Sequence, residues 1–359
     1  MNEIKVIDVF MNNMKVGRIA LTSDSLCAFE YDPDYLQYGK SISPFGLPLK
    51  NQVFIAKRTP FNGGFGVFDD SLPDGWGSLI LDRYLKNKGI NPDKLSVLQR
   101  LTLVGCSGRG ALEYKPNNSF ATTEEEISLQ NMADDTLKIL TTDLNGDFLD
   151  SLYRYGGSSG GARPKVFVNI DGREWLVKFR TASDPENIGE IEYKYSLLAK
   201  RCGIRMPETR LFEGKFFGTE RFDRTQQGKV HTVSAAGLLN ADYRIPSLDY
   251  SDLLKLCHIL TNNMEEVYAL FRQMVFNVEI KNRDDHAKNF SFQLINGEWR
   301  LSPAYDLLPG TGFNGFHTTT VNNSGDPALE DIIAVGVKFG LNRQRVTELI
   351  EEIHSIVKT

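Results

Sequence analysis

The sequence predicts an α+β fold: a mixed α/β segment at the N-terminus, then a two-lobed core whose second lobe is mainly helical. Three observations predict it. Short apolar runs punctuated by Asn, Gly and Pro fill residues 1–117. Two strand-like runs meet at Asp171-Gly172, behind a loop of small residues and ahead of a segment of helical period. Three longer segments of helical period occupy the end of the chain. At 359 residues, length suggests two or three domains. The boundaries expected are 1–117, 118–239 and 240–359.

Taken in order, residues 6–10 and 16–21 read as strands around the polar turn Asn12-Asn13. A helix follows near residues 76–88, stopped by Gly89 and Pro92. This first segment carries no nameable chemistry. Lys115-Pro116-Asn117-Asn118-Ser119 and the acidic run Glu124-Glu125-Glu126 mark a linker or a helix start. Residues 166–170 and 174–180 form the predicted hairpin. Residues 188–202 repeat Ile191, Tyr195, Leu198 and Cys202 at helical spacing and end at Gly203. Helices are then expected at 249–260, 264–280 and 343–357. In the second of these, Val267, Leu270, Met274 and Val278 make an apolar stripe that belongs in a core. A short apolar stretch, 335–339, precedes the last helix.

Composition narrows the function classes. A 41% hydrophobic share fits packed globular units, and a net charge of −5 leaves no overall basic footprint for nucleic acid. The four cysteines are widely spaced without a Cys-x-x-Cys pair, so neither zinc nor a disulfide framework is indicated. No signal-peptide core and no apolar run of membrane-spanning length are visible. A reduced, cytoplasmic protein with no membrane partner is expected.

The chemistry concentrates in Asp284-Asp285-His286-Ala287-Lys288-Asn289, with Asp306 downstream in Tyr305-Asp306-Leu307. Phosphoryl transfer from ATP needs a carboxylate at the attacking hydroxyl, and an amide and a second carboxylate for Mg²⁺. The five-residue step from Asp284 to Asn289 is that of a kinase catalytic loop. Asp285 is a rival for the base, and the same step favours Asp284. Upstream, Tyr155-Gly156-Gly157-Ser158-Ser159-Gly160-Gly161-Ala162-Arg163-Pro164-Lys165 is a loop whose glycines, Gly160 and Gly161 among them, let backbone N–H groups approach phosphate. No Gly-Lys-Ser/Thr follows, so it is not a Walker A loop. The returning strand carries Lys178. Glycine loop, strand, turn, strand with Lys is the order in which kinases clamp ATP phosphates. On the helix at 188–202, Glu192 shares the apolar side and Glu190 the charged side, so Glu192 is the acid expected to reach an interior Lys. Arg163 and Lys165 are further candidates to steer phosphates. His286 is suited to orienting the catalytic loop, and no second His or Cys stands at metal-ligand spacing.

On these words the chain resembles the HipA family, kinase toxins of bacterial toxin–antitoxin modules. The matching words are Ser158 through Lys165, Glu220-Arg221-Phe222-Asp223-Arg224 and Asp284 through Phe290. Two more are Asp70-Ser71-Leu72-Pro73-Asp74-Gly75-Trp76-Gly77 and Leu103-Val104-Gly105 to Gly110-Ala111-Leu112. They come in the family's order and span nearly the whole chain. The resemblance implies a HipA-like atypical protein-kinase fold with an N-terminal subdomain packed on the kinase body. It implies that Asp284 is the general base, that Asn289 and Asp306 bind Mg²⁺, and that Lys178 binds phosphate. It further implies that backbone groups at Glu220 and Phe222 face the adenine and that Ser158 is autophosphorylated, with Ser159 the neighbouring competitor.

The words also depart from ordinary protein kinases. The loop reads Asn282-Arg283-Asp284, Tyr305-Asp306-Leu307 replaces Asp-Phe-Gly, and no Ala-Pro-Glu triplet exists. Asp-x-His-x-x-Asn is also similar to the loop of lipid kinases, which leaves the acceptor class open on motif grounds. The expected function is an ATP- and Mg²⁺-dependent Ser/Thr protein kinase that arrests growth. The alternatives are a small-molecule or lipid kinase, or a non-catalytic partner of a DNA-bound antitoxin. The resemblance implies substrates among aminoacyl-tRNA synthetases. It also implies a small helix-turn-helix antitoxin of the HipB type, through which DNA is bound indirectly.

Overall fold

The computed structural model describes residues 3–119, 128–141 and 148–359. The acidic run at 124–126 lies outside them. The chain divides into two compact units. The first comprises Met1–Ile42, Leu47–Ile191 and Glu208–His231, so far as these are described. The second comprises Ser43–Gly46, Glu192–Pro207 and Thr232–Thr359.

The first unit opens with a five-stranded antiparallel sheet. Its strands are β1 (Val6–Met11), β2 (Met14–Leu21), β3 (Cys27–Tyr31), β4 (Val53–Ile55) and β5 (Leu112–Lys115), in the order β4-β3-β2-β1-β5. Asn12 and Asn13 take φ +49° and +65°, the left-handed pair that a tight hairpin demands. Ile7, Ile19 and Phe29 lie directly opposite one another across β1, β2 and β3 and are all buried, so one face of the sheet makes a core. The expected helix is present as Gly75–Asn87. A second helix, Val97–Val104, starts with a reciprocal Ser96–Gln99 capping box.

A four-stranded antiparallel sheet follows in the same unit: β6 (Lys165–Ile170), β7 (Arg173–Lys178), β8 (Thr209–Phe212) and β9 (Phe216–Glu220), in the order β6-β7-β9-β8. Asp171 and Gly172, at φ +54° and +75°, make the turn that joins β6 to β7. The two parts of the unit share one core. Trp76, Ile80, Tyr84 and Leu85 of the early helix pack in a cluster with Val166, Val168, Trp175 and Val177 of the later sheet. Each such burial contributes roughly 1.5–3 kcal/mol. The helix Ile188–Arg201 then leaves the first unit, and Gly203 ends it at φ +71°.

The second unit is built on the helices Tyr250–Thr261, Met264–Glu279, Leu329–Phe339 and Arg343–Lys358. The stripe holds at Val267, Leu270 and Met274, which are fully buried, and weakens at Val278, which is half-buried. The short apolar stretch at 335–339 is the end of a full helix, Leu329–Phe339. Gly336 lets it approach Phe271, where a Cβ would stand 3.0 Å from the ring. The mainly helical reading also passes over a hairpin, Ser291–Ile295 with Glu298–Leu301, turned by Asn296-Gly297 at φ +52° and +79°. A short parallel pair, Leu248–Asp249 with Thr319–Thr320, lies beside the helices' N-terminal ends in sequence. Among the described residues no helix is long and apolar enough to cross a membrane. All four cysteines are free thiols.

Candidate functional site

The glycine loop joins the helix Phe148–Gly156 to β6. Its first turn is closed by Gly157 N–H donating to the Tyr153 carbonyl and Ser159 N–H donating to that of Gly156, at 2.9 and 3.0 Å. The Ser159 side chain is fully buried, and its hydroxyl donates to the Gly156 carbonyl at 2.6 Å. Ser158 is half-exposed, and its hydroxyl donates to the Ser107 carbonyl at 3.3 Å. Lys165 points its ammonium back onto the loop, 2.6 Å from the Gly160 carbonyl. Arg163 pairs with Asp184 at 3.1 Å. Burial alone would raise the Asp184 carboxyl. The Thr181 N–H and hydroxyl, with Arg163, outweigh it and hold the carboxyl below its ordinary value. Arg163 and Lys165 therefore both have partners within the protein.

The two N-terminal words, which carry no nameable chemistry in sequence, lie against this region. Asp74 accepts a hydrogen bond from Gly161 N–H. Trp76 donates its N–H to the Gly161 carbonyl at 2.9 Å and its indole N–H to the Lys165 carbonyl at 3.2 Å. The turn at 105–110 meets the Glu220-to-Arg224 word. Arg221 holds Asp223 by two bonds, Nε at 2.9 Å and Nη2 at 2.8 Å. Arg224 donates to the Gly108 and Gly110 carbonyls at 2.8 Å each, and Gly110 N–H donates to Asp223 at 2.8 Å. Burial pushes the Asp223 carboxyl up. The two guanidiniums and the Gly110 N–H overcome that and hold it well below the carboxylate range. Glu220 closes β9, its N–H donating to the Glu208 carbonyl at 2.8 Å, and Phe222 is half-buried two residues on.

Lys178 ends β7 directly opposite Lys165, half-buried, with its ammonium 5.5 Å from the centre of the Phe217 ring. On the helix Ile188–Arg201, Glu192 is buried and Glu190 only partly so. That contrast matches the side of the helix on which each acid was expected.

In the second unit the residues of the Asp284–Asn289 loop form one hydrogen-bonded assembly with the Asp306 segment. Asp284 is exposed. The Asn289 amide nitrogen donates to the Asp284 carbonyl at 2.7 Å, so the amide oxygen is the atom a cation would take. Asn282 donates to the Asp306 carbonyl at 3.1 Å and to the Asn277 side chain at 3.0 Å. Asp306 adopts φ +55°, a left-handed conformation uncommon outside glycine. Its neighbour Tyr305 donates to the Lys288 carbonyl at 2.6 Å. Asp284, Asn289 and Asp306 are thus tied together through the backbone they share.

The rival acid is placed quite differently. Asp285 is fully buried. One carboxylate oxygen accepts Thr318 and Thr319 N–H at 2.9 and 3.1 Å. The other accepts the Tyr250 hydroxyl at 2.9 Å and lies 2.8 Å from His317 Nδ1. Burial, with the Asp285 charge beside it, raises the Tyr250 hydroxyl well above its ordinary value and keeps it a donor. A carboxylate so occupied anchors the loop and has no lone pair directed at an acceptor. His286 contributes its carbonyl, which accepts Asn289 N–H at 2.8 Å. The His286 ring leans toward Tyr243, with centroids 6.0 Å apart, and Nδ1 has no hydrogen-bond partner among the described residues. Among those residues no cluster of three or more His, Cys, Asp or Glu side chains is positioned to hold a metal ion.

Sequence reasoning missed Asp74 and Trp76 at the glycine loop, and Tyr250, Asn277 and His317 around Asp285. Residue types alone carried no signal for these, because each has at least one partner tens of residues away. The Asn296-Gly297 pair could have revealed the hairpin behind the loop.

The HipA N-terminal domain matches residues 7–115, and the HipA-like C-terminal domain matches residues 157–359. Over 333 residues the chain is 26% identical to a Sinorhizobium fredii (strain NBRC 101917 / NGR234) protein named "Putative kinase Y4dM", covering 86% of this chain and 78% of that one. Over 395 residues it is 24% identical to "Putative kinase Y4mE" of the same organism, covering 97% and 90%. In structure it matches a chain of the Shewanella oneidensis MR-1 toxin–antitoxin complex of HipA, HipB and operator DNA. The TM-score is 0.73 at 18% identity, over 98% of this chain and 88% of that one. That likeness establishes the fold, and the two domain matches, the second alone covering more than half the chain, establish the lineage: the chain belongs to the HipA family.

Proposed function

We propose that this protein is an ATP- and Mg²⁺-dependent Ser/Thr protein kinase of the HipA type that phosphorylates a cellular protein and its own Ser158. The observation that carries the proposal is the assembly of Asp284, Asn289 and Asp306, in which an exposed carboxylate stands on a backbone fixed by Asn282 and Asn289. Its buried neighbour Asp285 is occupied by four donors, which supports Asp284 as the base.

In the proposed reaction the acceptor hydroxyl oxygen bonds to the γ-phosphorus of ATP. The bond from that phosphorus to the β,γ-bridging oxygen breaks, ADP leaves, and Asp284 takes the hydroxyl proton. The glycine loop and Lys178 hold the phosphates. The Asn289 amide oxygen and the Asp306 carboxylate would hold Mg²⁺, a hard cation that prefers oxygen ligands. When bound, that ion would neutralise charge on the phosphates.

Several facts support the finer parts. Two relatives carry kinase names. The solved HipA stands in a complex with HipB and operator DNA, which supports a HipB-type antitoxin as partner and indirect contact with DNA. The half-exposed Ser158 hydroxyl is the available one in the loop, since that of Ser159 is buried and engaged. Growth arrest through an aminoacyl-tRNA synthetase follows from the family resemblance.

The test is incubation of the purified protein with γ-labelled ATP and Mg²⁺, with and without cell extract, beside Asp284→Asn. Label on protein bands that falls about 10²–10⁴-fold in the variant is expected. Label confined to a lipid or metabolite fraction would reject a protein acceptor, and equal labelling by the variant would reject Asp284 as base.

A further inference from the structure

We propose that the turn at residues 74–77 is a positioning element for the glycine loop, with Asp74 and Trp76 its positioning residues. The inference starts from where their hydrogen bonds go. Asp74 precedes the helix Gly75–Asn87, yet its side chain does not cap that helix. It accepts Gly161 N–H instead. The first N–H groups of any helix lack partners inside it, and that of Trp76 is satisfied by the Gly161 carbonyl at 2.9 Å. The loop therefore caps the helix, and the residue before the helix holds the loop. Both backbone groups of Gly161 are taken by this one turn. The Trp76 indole N–H fixes the loop's far end, at the Lys165 carbonyl, where β6 begins.

The fit is close on both sides. A Cβ at Gly77 would stand 2.1 Å from the Ser159 carbonyl oxygen, and one at Gly75 would stand 2.5 Å from that of Gly161. Gly75 also adopts φ +44°, which side-chain-bearing residues rarely adopt. Lys165 completes the brace from within the loop through the Gly160 carbonyl at 2.6 Å. A glycine-rich segment that must present backbone N–H groups to phosphate gains from such a frame, because its own residues have little conformational preference. The N-terminal domain thereby takes part in shaping the loop that the C-terminal domain's sequence supplies.

The functional half of this inference rests on the phosphotransfer reading, whereas the structural half does not. The experiment is hydrogen exchange by mass spectrometry on the full-length, nucleotide-free protein, wild type against Asp74→Ala and Asp74→Asn. Exchange in peptides covering 157–165 should rise about 10- to 100-fold in Asp74→Ala, the fold-change equivalent of one charge-assisted hydrogen bond. It should rise less in Asp74→Asn, which keeps an acceptor oxygen. Peptides from 264–279 should be unchanged in both. The KM for ATP should rise by a similar factor with kcat less affected. Unchanged loop exchange in folded Asp74→Asn and Asp74→Ala would overturn the proposal. So would a lower KM, which would mean that the Asp74 carboxylate competes with phosphate for Gly161 N–H. If the wild-type protein binds no ATP, the kinase reading fails while loop exchange still decides the positioning role.

Discussion

Replacing Asp285 should separate the two adjacent acids more sharply than any change at Asp284. Its carboxylate is fully buried and receives four donors, two on each oxygen. Asp285→Ala leaves all four without a partner. An unsatisfied buried donor costs about 1–3 kcal/mol. Four at the low end give about 4 kcal/mol, within the range of roughly 3–5 kcal/mol for losing one member of a buried charged cluster. Asp285→Asn behaves differently. Its amide oxygen still accepts Thr318 and Thr319 N–H, while its NH₂ faces Tyr250 and His317, whose hydroxyl and imidazole can turn or change tautomer to accept. The cost should then be about 1–2 kcal/mol. The assay is urea denaturation of both variants, read together with hydrogen exchange in peptides covering 281–290 and 316–321, since a chain of this size need not unfold in one step. The Ala variant should show fast local exchange in both segments, and the Asn variant should keep measurable label transfer. An Ala variant within about 1 kcal/mol of wild type, or an Asn variant as damaged as the Ala one, would refute the anchoring role.

Three other outcomes are expected. Asp306→Ala should weaken Mg·ATP binding by calorimetry far more than binding of ATP in EDTA, and equal Mg·ATP affinity would remove Asp306 from the metal site. After incubation with Mg·ATP, mass spectrometry should find phosphate at Ser158 and not at Ser159, and the modified protein should bind ATP poorly, because about two added negative charges repel the nucleotide's phosphates. The third outcome concerns acid stability. Burial pulls the His231 pKa down to about 4, below the ordinary value of 6.5. The folded state therefore holds fewer protons than the unfolded state between those values. The first unit should keep full stability above pH 6.5 and lose about 3 kcal/mol as the pH falls to about 4. His231→Gln should flatten that part of the denaturation curve, and an unaltered acid limb would exclude His231 as its cause.

Local structure was legible where local rules decide it. Asn12-Asn13 and Asp171-Gly172 read as turns because few residues tolerate positive φ, and both turns have it. The helix at 188–201 ends at Gly203 for the same reason. The Asp284-to-Asn289 spacing could be read because a single loop carries both residues. What could not be read depends on long-range pairing. The Trp76 indole finds its acceptor 89 positions away, and Gly110 finds Asp223 across 113. Neither distance leaves a trace in periodicity. The five-residue step to Asn289 favours Asp284, but the burial of Asp285 leaves no mark in sequence, because it comes from Tyr250, His317, Thr318 and Thr319 closing around its carboxylate.

The close seat of Gly77 against Ser159, and of Trp76 against the start of β6, also bears on how such chains can vary. The N-terminal and C-terminal family segments, 7–115 and 157–359, are separable as stretches of sequence. Their hydrophobic interior is held in common, with Trp76, Ile80 and Tyr84 from one and Val166, Trp175 and Val177 from the other. A hybrid joining the first segment of one relative to the second of another would bring together surfaces shaped by different histories. Substitutions at 75–77 and at 157–165 should therefore occur as matched sets, and exchanges between lineages should succeed where the junction moves both together.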